Sequence, residues 1–316
     1  MLRRRATWVV AVLAAAAACK KEPAPPAVTT VAPSGSARAP EPDPWEKQGP
    51  AQPHIARPLF WAIEKDGKTT YALGTMHVGI DAEAQLPPLV WQKLDTAAAF
   101  AMETDLSDPA VNDINQMAVT TSLHAQLGED EWQMLEKALT PEVARRMDKL
   151  KPMVAATMLQ LRGLPMTAPM DGVLLGRAQN RHERIVYLEP ATKEEALLEK
   201  WMDVRALKDM LDDLEHGDQA QKDMLAAYLA GDDKKLLALT DGEREEWKKH
   251  GRDLSEYDQQ MEELLYQRNA SWIAPLEALH ASGGGFVAVG AMHLIGKRSV
   301  LDLLAQKGYK VTRITP

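Results

Sequence analysis

The chain has 316 residues, with 37 Lys and Arg against 45 Asp and Glu and a formal net charge of −8; that is long enough for one large domain or two small ones. The acidic balance, with no basic stripe and no aromatic stacking platform, gives no reason to expect a nucleic-acid partner. Aromatic residues make up 5% of the chain while Met occurs 15 times, so the core is mostly Leu, Ala, Val and Met, with Met as adaptable filler.

Arg3, Arg4 and Arg5 precede an apolar stretch from Ala6 to Ala18. This is the build of a signal peptide over residues 1–18, too short to span a bilayer comfortably. Ala16-Ala17-Ala18 lead into Cys19, the single cysteine. Small residues before a cysteine read as a bacterial lipoprotein cleavage site, with Cys19 becoming the lipidated first residue. Ala16 stands where a leucine is usual, and an ordinary secretory signal is the alternative. An acylated Cys19 leaves no free thiol, which excludes a cysteine nucleophile and a Cys-based zinc site. Residues 19–57 are rich in Pro, Ala, Ser and Gly and read as a semi-extended, disordered tether. The expected location is therefore the bacterial cell envelope, with the membrane as a partner through Cys19. Lys20 after the cysteine favours the outer membrane.

A single domain is expected over 58–316. Leu59 to Ile63 and Thr69 to Leu73 flank Asp66-Gly67, a strong hairpin signal. A helix follows from Pro88 to Ala97, then a short buried strand, Ala98 to Met102, delivering Glu103. From Ser107 to His280 the pattern is mostly helical: 129–139, 141–150, 170–181, 193–214 and 219–229, interrupted by a strand at Arg184–Leu188 that ends on Glu189. A long helix is expected over 256–281, stopped by Gly283-Gly284-Gly285. A strand at Phe286–Val289, a helix over 297–307 capped by Gly308, and a strand at Lys310–Ile314 close the chain. The expected class is α+β: a mixed β-sheet built from both ends of the chain, with a large helical middle section packed on it.

Two segments repeat one pattern. Thr70 to Val78 and Phe286 to Leu294 are each an apolar strand ending in Gly-x-Met-His. Glycine after a strand would release the backbone into a tight turn, leaving His77 and His293 at strand ends, where α/β sheets place their sites. Imidazole ligates metals or acts as a general base near neutral pH. Glu103 is a third ligand or a general base beside them; two His and one carboxylate with an open position for water are a common hydrolytic metal set. Glu189 is a weaker candidate. Arg268-Asn269 lies among Leu264, Leu265, Trp272 and Ile273; a buried Arg there needs a partner and would orient Glu103 or grip a substrate carboxylate, whereas an exposed one would pair with Glu262 or Glu263. Asp171 reads as a helix cap. The Glu243-Arg244-Glu245-Glu246 run reads as a solvated helix face. His54, His124, His182, His216, His250 and His280 carry no assigned role.

Gly74 to His77, Glu103, Met170-Asp171, Leu188-Glu189, Ala230-Gly231-Asp232, Arg268-Asn269, Gly290 to His293 and Gly308 to Val311 occur in the order found in the TraB/GumN family, which the chain resembles from Leu59 to Ile314. That family is similar to membrane-anchored metalloproteases that trim Wnt proteins and to proteins that shut down peptide pheromones. The resemblance implies a metal-dependent site at His77, His293 and Glu103, with manganese or cobalt as the cofactor type and zinc as a further option for a divalent metal. Tyr228 stands where the family has tryptophan. The expected function is a lipid-anchored metallohydrolase acting on a peptide or protein segment, with Arg268 and Asn269 orienting the carboxylate or the substrate carbonyl. A metal-free His/Glu hydrolase and a non-enzymatic protein that sequesters a peptide are the alternatives.

Overall fold

The computed structural model describes residues 54–315 apart from Leu106, residues 110–119 and His250. The signal segment, Cys19 and nearly all of the tether lie outside the described residues.

Six strands form one mixed sheet: β1 (Phe60–Lys65), β2 (Lys68–Thr75), β3 (Ala99–Met102), β4 (Arg184–Tyr187), β5 (Phe286–Gly290) and β6 (Lys310–Arg313). Their order is β4-β3-β5-β2-β1-β6. β1 and β2 make the expected hairpin, with Lys65 opposite Lys68. Asp66 and Gly67 both take positive φ, 50° and 73°, the turn that matches strand twist. β1 is antiparallel to β2 and β6, while β2, β5, β3 and β4 run parallel to one another. The parallel strands β3 and β5 are almost wholly buried, as strands covered on both faces must be. The edge strands β4 and β6 are exposed or half-buried throughout. The α+β class and the mixed sheet thus hold, although β4 comes from the helical middle.

The chain's three Phe meet across this sheet: Phe60 lies 5.8 Å from Phe286, and Phe286 6.2 Å from Phe100. They anchor a sheet core that also takes in Ile55. Ile55, read from sequence as tether, is 2% exposed, and its N–H donates to the Gln85 carbonyl at 2.8 Å. A second, all-helical core gathers Leu123, Trp132, Leu135, Leu159, Leu207 and their neighbours. Among the described residues, no helix is long and apolar enough to cross a membrane.

Several helices differ from the sequence expectation. The helix expected over 193–214 is two, Ala191–Trp201 and Val204–Asp212, because the Asp203 side chain accepts the Ala206 N–H and starts a new N-terminus. Pro152–Leu161 and Asp233–Lys249 are helices that the sequence reading did not delimit. The long helix begins at Leu254 and contains a π-helical turn, Glu262–Tyr266, before continuing as Gln267–Ala281. Such turns insert a residue into the helix and are frequent at functional sites.

Candidate active site

All four parallel strands run out on one edge of the sheet. Past the end of β2 stands His77, past β3 Glu103, past β4 Glu189, and past β5 His293. β2 and β5 are direct neighbours, with Thr75 opposite Gly290, so the two repeated segments converge. The glycines work differently from the expectation. Gly74 lies inside β2 rather than opening a turn. A side chain there would bring a β-carbon within 3.0 Å of the Ala291 Cα, so it is close approach of the two strand ends that requires glycine. Gly290 ends β5, and a short 3-10 turn, Ala291–His293, swings His293 back over the edge.

Each imidazole is held at Nδ1 by its own acceptor. His77 Nδ1 lies 2.5 Å from Asp171 Oδ2, and Thr75 Oγ1 donates to Asp171 Oδ1 at 2.7 Å. Asp171, 4% exposed, sits in the first turn of the Met170–Asn180 helix but does not serve as its cap. His293 Nδ1 lies 2.6 Å from Asn269 Oδ1, and the Asn269 amide donates to the Arg298 carbonyl at 3.0 Å. Both acceptors assign a proton to Nδ1, so that each ring, when neutral, has its lone pair at Nε2 on the opposite side. Trp272 backs the His293 ring at 4.4 Å.

Glu103 lies between them. Its Oε1 accepts the Gly290 N–H at 2.7 Å, and its Oε2 accepts from Arg268 Nη2 at 2.7 Å. A β-carbon at Gly290 would lie 3.3 Å from Glu103 Oε1, 3.5 Å from His293 Cδ2 and 3.8 Å from His77 Nε2. The three predicted residues therefore surround one point, and only glycine leaves it open. Arg268 is 1% exposed and pairs with neither Glu262 nor Glu263. Besides Glu103 it donates to Glu189 Oε1 at 2.5 Å and Glu194 Oε1 at 3.0 Å. Its Nη1 lies 3.5 Å from His293 Nε2.

Burial and charge set the protonation states. Burial alone would lower the His77 pKa, but the Asp171 carboxylate outweighs it and pushes it up to about 9. At His293 burial wins; the Glu103 charge opposes it and Arg268 reinforces it, bringing the pKa down to about 3. Burial would raise Glu103, yet His293, Arg268, His77 and the Gly290 N–H together hold it well below the usual carboxylate range. Glu194 is pushed up to about 7 by burial, against the pull of Arg268 and with the push of Glu103.

Among the described residues, no group of three His, Cys, Asp or Glu is spaced to hold a metal ion. In donor type alone, two imidazoles and a carboxylate are groups that a divalent ion accepts. Two imidazoles with occupied Nδ1 positions are the usual form of histidine ligands. His293 Nε2 and Glu103 Oε2 are 3.9 Å apart, wider than the roughly 3.3 Å between tetrahedral ligands that are each about 2 Å from one ion, and the Arg268 guanidinium lies against both.

The histidines open into a cavity of about 90 Å³, walled by Met76, Met224, Met261, Met292, Leu264 and Leu265. Tyr228 also lines it and donates its hydroxyl to the Gly74 carbonyl at 2.8 Å. Glu243, read from sequence as solvated, is 6% exposed and on the cavity wall, since that face of its helix packs inward with Leu236 and Trp247. Sequence reasoning also missed Glu194, which carries no local signal, and the role of Asp171, whose signal was an acidic residue inside an apolar helix start. His280 is buried and structural: its Nδ1 lies 2.8 Å from Thr70 Oγ1 and its Nε2 3.0 Å from the Lys65 carbonyl.

No solved structure matches the chain. Among curated proteins it is similar to the uncharacterized protein YbaP of Shigella flexneri, 26% identical over 261 residues covering 79% of this chain and 93% of that protein. The YbaP of Escherichia coli (strain K12) is likewise 26% identical over 244 residues, 74% of this chain and 87% of that protein. The family model of the TraB/PrgY/gumN family matches residues 59–313, a span that includes every strand and all the residues around Gly290, and the chain belongs to that family.

Proposed function

We propose that the domain is a hydrolase acting on a peptide or protein, with a divalent metal held by Nε2 of His77 and His293 and Glu103 either completing the ligand set or acting as base. The observation that carries this reading is the arrangement around Gly290: two imidazoles, each fixed at Nδ1 by a dedicated acceptor, bring their other edges to the same point as an ionised carboxylate. A bound divalent ion supplies Lewis-acid activation of water and of a carbonyl. The chain supplies the rest. Asp171 and Asn269 fix the two imidazole tautomers. Arg268 and the Gly290 N–H keep Glu103 ionised and aimed. The Met- and Leu-lined wall excludes water around an apolar substrate side chain.

The test is metal content by mass spectrometry with circular dichroism, for wild type and for His77→Ala, Glu103→Ala and His293→Ala. Each variant is expected to lose metal and peptide hydrolysis together while keeping its fold. Wild type that takes up no divalent metal with both histidines intact sinks the metal reading. One observation favours a metal-free alternative: the Arg268 guanidinium faces His293 Nε2 at 3.5 Å. There the site works without a metal, and hydrolysis survives chelation. Peptide binding without any cleavage would instead indicate a sequestering protein.

The same proposal keeps the protein at the bacterial envelope through an acylated Cys19. Its support is the sequence alone, and Cys19→Ser is expected to abolish incorporation of labelled fatty acid. Equal labelling of the variant would end the anchoring idea.

A further inference from the structure

Leu264 stands in two walls at once. It lines the cavity beside His77 and His293 and also a second cleft, of about 460 Å³, on its other side. It is 7% exposed and belongs to the helical core rather than the sheet core. The π-helical turn explains how Leu264 and Leu265, consecutive residues, both face the first cavity: a wider turn separates neighbouring side chains by less than an α-helix does.

The two spaces differ in size and chemistry. At about 90 Å³ the first takes one apolar side chain and little more. The second is several times larger and polar. Its charged residues largely satisfy each other, as in Arg252–Asp209 at 2.7 Å and the pair Arg205–Glu256, so it is not built for a ligand of one charge. What remains are neutral hydrogen-bonding groups: the amides of Gln160 and Gln260 and the indole of Trp247. These three are 6%, 8% and 6% exposed, and Trp247 Nε1–H has no hydrogen-bond partner among the described residues and is itself covered, so a ligand reaches it only when the indole shifts toward the cleft. A buried donor without an acceptor needs explaining. Neutral donors and acceptors deep in a cleft suit a polypeptide main chain, which offers both at every residue.

We infer that this cleft is the continuation of the substrate site, taking the main chain of an extended polypeptide whose apolar side chain enters the cavity past Leu264. The inference rests on the peptide-hydrolase reading and narrows its substrate: a polypeptide of several residues, with one apolar side chain next to the reacting bond and little sequence demand along the cleft. A dipeptide or a small ester would leave the cleft empty.

The experiment uses the full chain and two fluorescein-labelled probes built around one fixed leucine, a tetrapeptide and a decapeptide pool randomised over Ala, Ser, Gly and Thr. Binding is read by fluorescence anisotropy, and cleavage separately by mass spectrometry. The decapeptides are expected to bind at least ~10-fold more tightly than the tetrapeptide. Trp247→Phe and Gln260→Leu are each expected to weaken decapeptide binding by about 3- to 10-fold, the worth of one hydrogen bond, and to leave tetrapeptide binding unchanged. Gln260→Leu stands in if circular dichroism shows that Trp247→Phe disturbs the fold. Equal affinity for the two lengths, wild-type decapeptide binding by both variants, or no binding at all overturns the inference. Cleavage without length dependence defeats the cleft and keeps the hydrolase; length-dependent binding without cleavage does the reverse.

Discussion

The backbone N–H of Gly290 donates a 2.7 Å hydrogen bond to Glu103 Oε1, tying the end of β5 to the residue that follows β3. The backbone of Gly290 is ordinary, with φ −49° and ψ 138°, so a substitution there is not forbidden by conformation. A β-carbon would instead occupy the space among the three residues, tight against Glu103 Oε1 at 3.3 Å and in van der Waals contact with His293 and His77. Gly290→Ala is therefore expected to fold with a stability within about 1 kcal/mol of wild type and to lose divalent metal binding in a calorimetric titration. Unchanged affinity for Mn²⁺ would show that the three residues do not share an occupant.

Asp171 and His77 make a pH-dependent contribution to stability. The folded His77 pKa of about 9 lies above its ordinary 6.5. A raised histidine stabilises fully below about pH 6.5 and loses that contribution as the pH climbs through about 9. Asp171→Asn removes the carboxylate responsible. In chelator, its deficit in urea unfolding is expected to be on the order of 3 kcal/mol near pH 6 and to shrink towards zero above pH ~9. A deficit constant across that range would mean that His77 is not charged in the folded protein.

Arg268 is expected to matter to the fold as well as to the site. It is 1% exposed and compensates Glu103, Glu189 and Glu194. Removing one partner of a buried ionic cluster leaves charge uncompensated and costs about 3–5 kcal/mol. Arg268→Ala should show that loss at pH 7.5 and a smaller one at pH 5, where protonation relieves the carboxylates. Parallel urea curves for wild type and variant at the two pH values decide it. A fully stable variant would place the guanidinium in solvent.

Glu195 is a site for stabilisation. It is 4% exposed, and neither carboxylate oxygen has a hydrogen-bond partner among the described residues. Burial, opposed by Lys151 and helped by Glu199, pushes its pKa up from 4.5 to about 6. A raised carboxyl destabilises only when ionised: the penalty is absent below about pH 4.5 and complete above about pH 6. Glu195→Gln is expected to raise stability by roughly 1–2 kcal/mol at pH 8 and not at pH 4. A gain that is equal at both pH values would point to packing instead.

What the sequence determined by itself was local. The Asp66-Gly67 turn, the strand at β3 and the repeated Gly-x-Met-His segments are written in glycine placement and in runs of apolar residues, which act over a few positions. They were enough to name His77, Glu103 and His293 as residues at strand ends. What only the tertiary structure decided was partnership. β2 and β5 are neighbours because strand order is settled by crossovers and packing, and that adjacency alone brings the two histidines to Gly290. The acceptors Asp171 and Asn269 come from helices far along the chain, as do Glu189 and Glu194 on Arg268. Asp171 looked like a helix cap because a carboxylate in a first turn has that use in isolation. Glu243 looked solvated because a charge run shows nothing of the cavity its helix will face. The π-helical turn was invisible for the same reason: a helix accepts an inserted residue when its neighbours require it, and here it sets Leu264 between the two cavities.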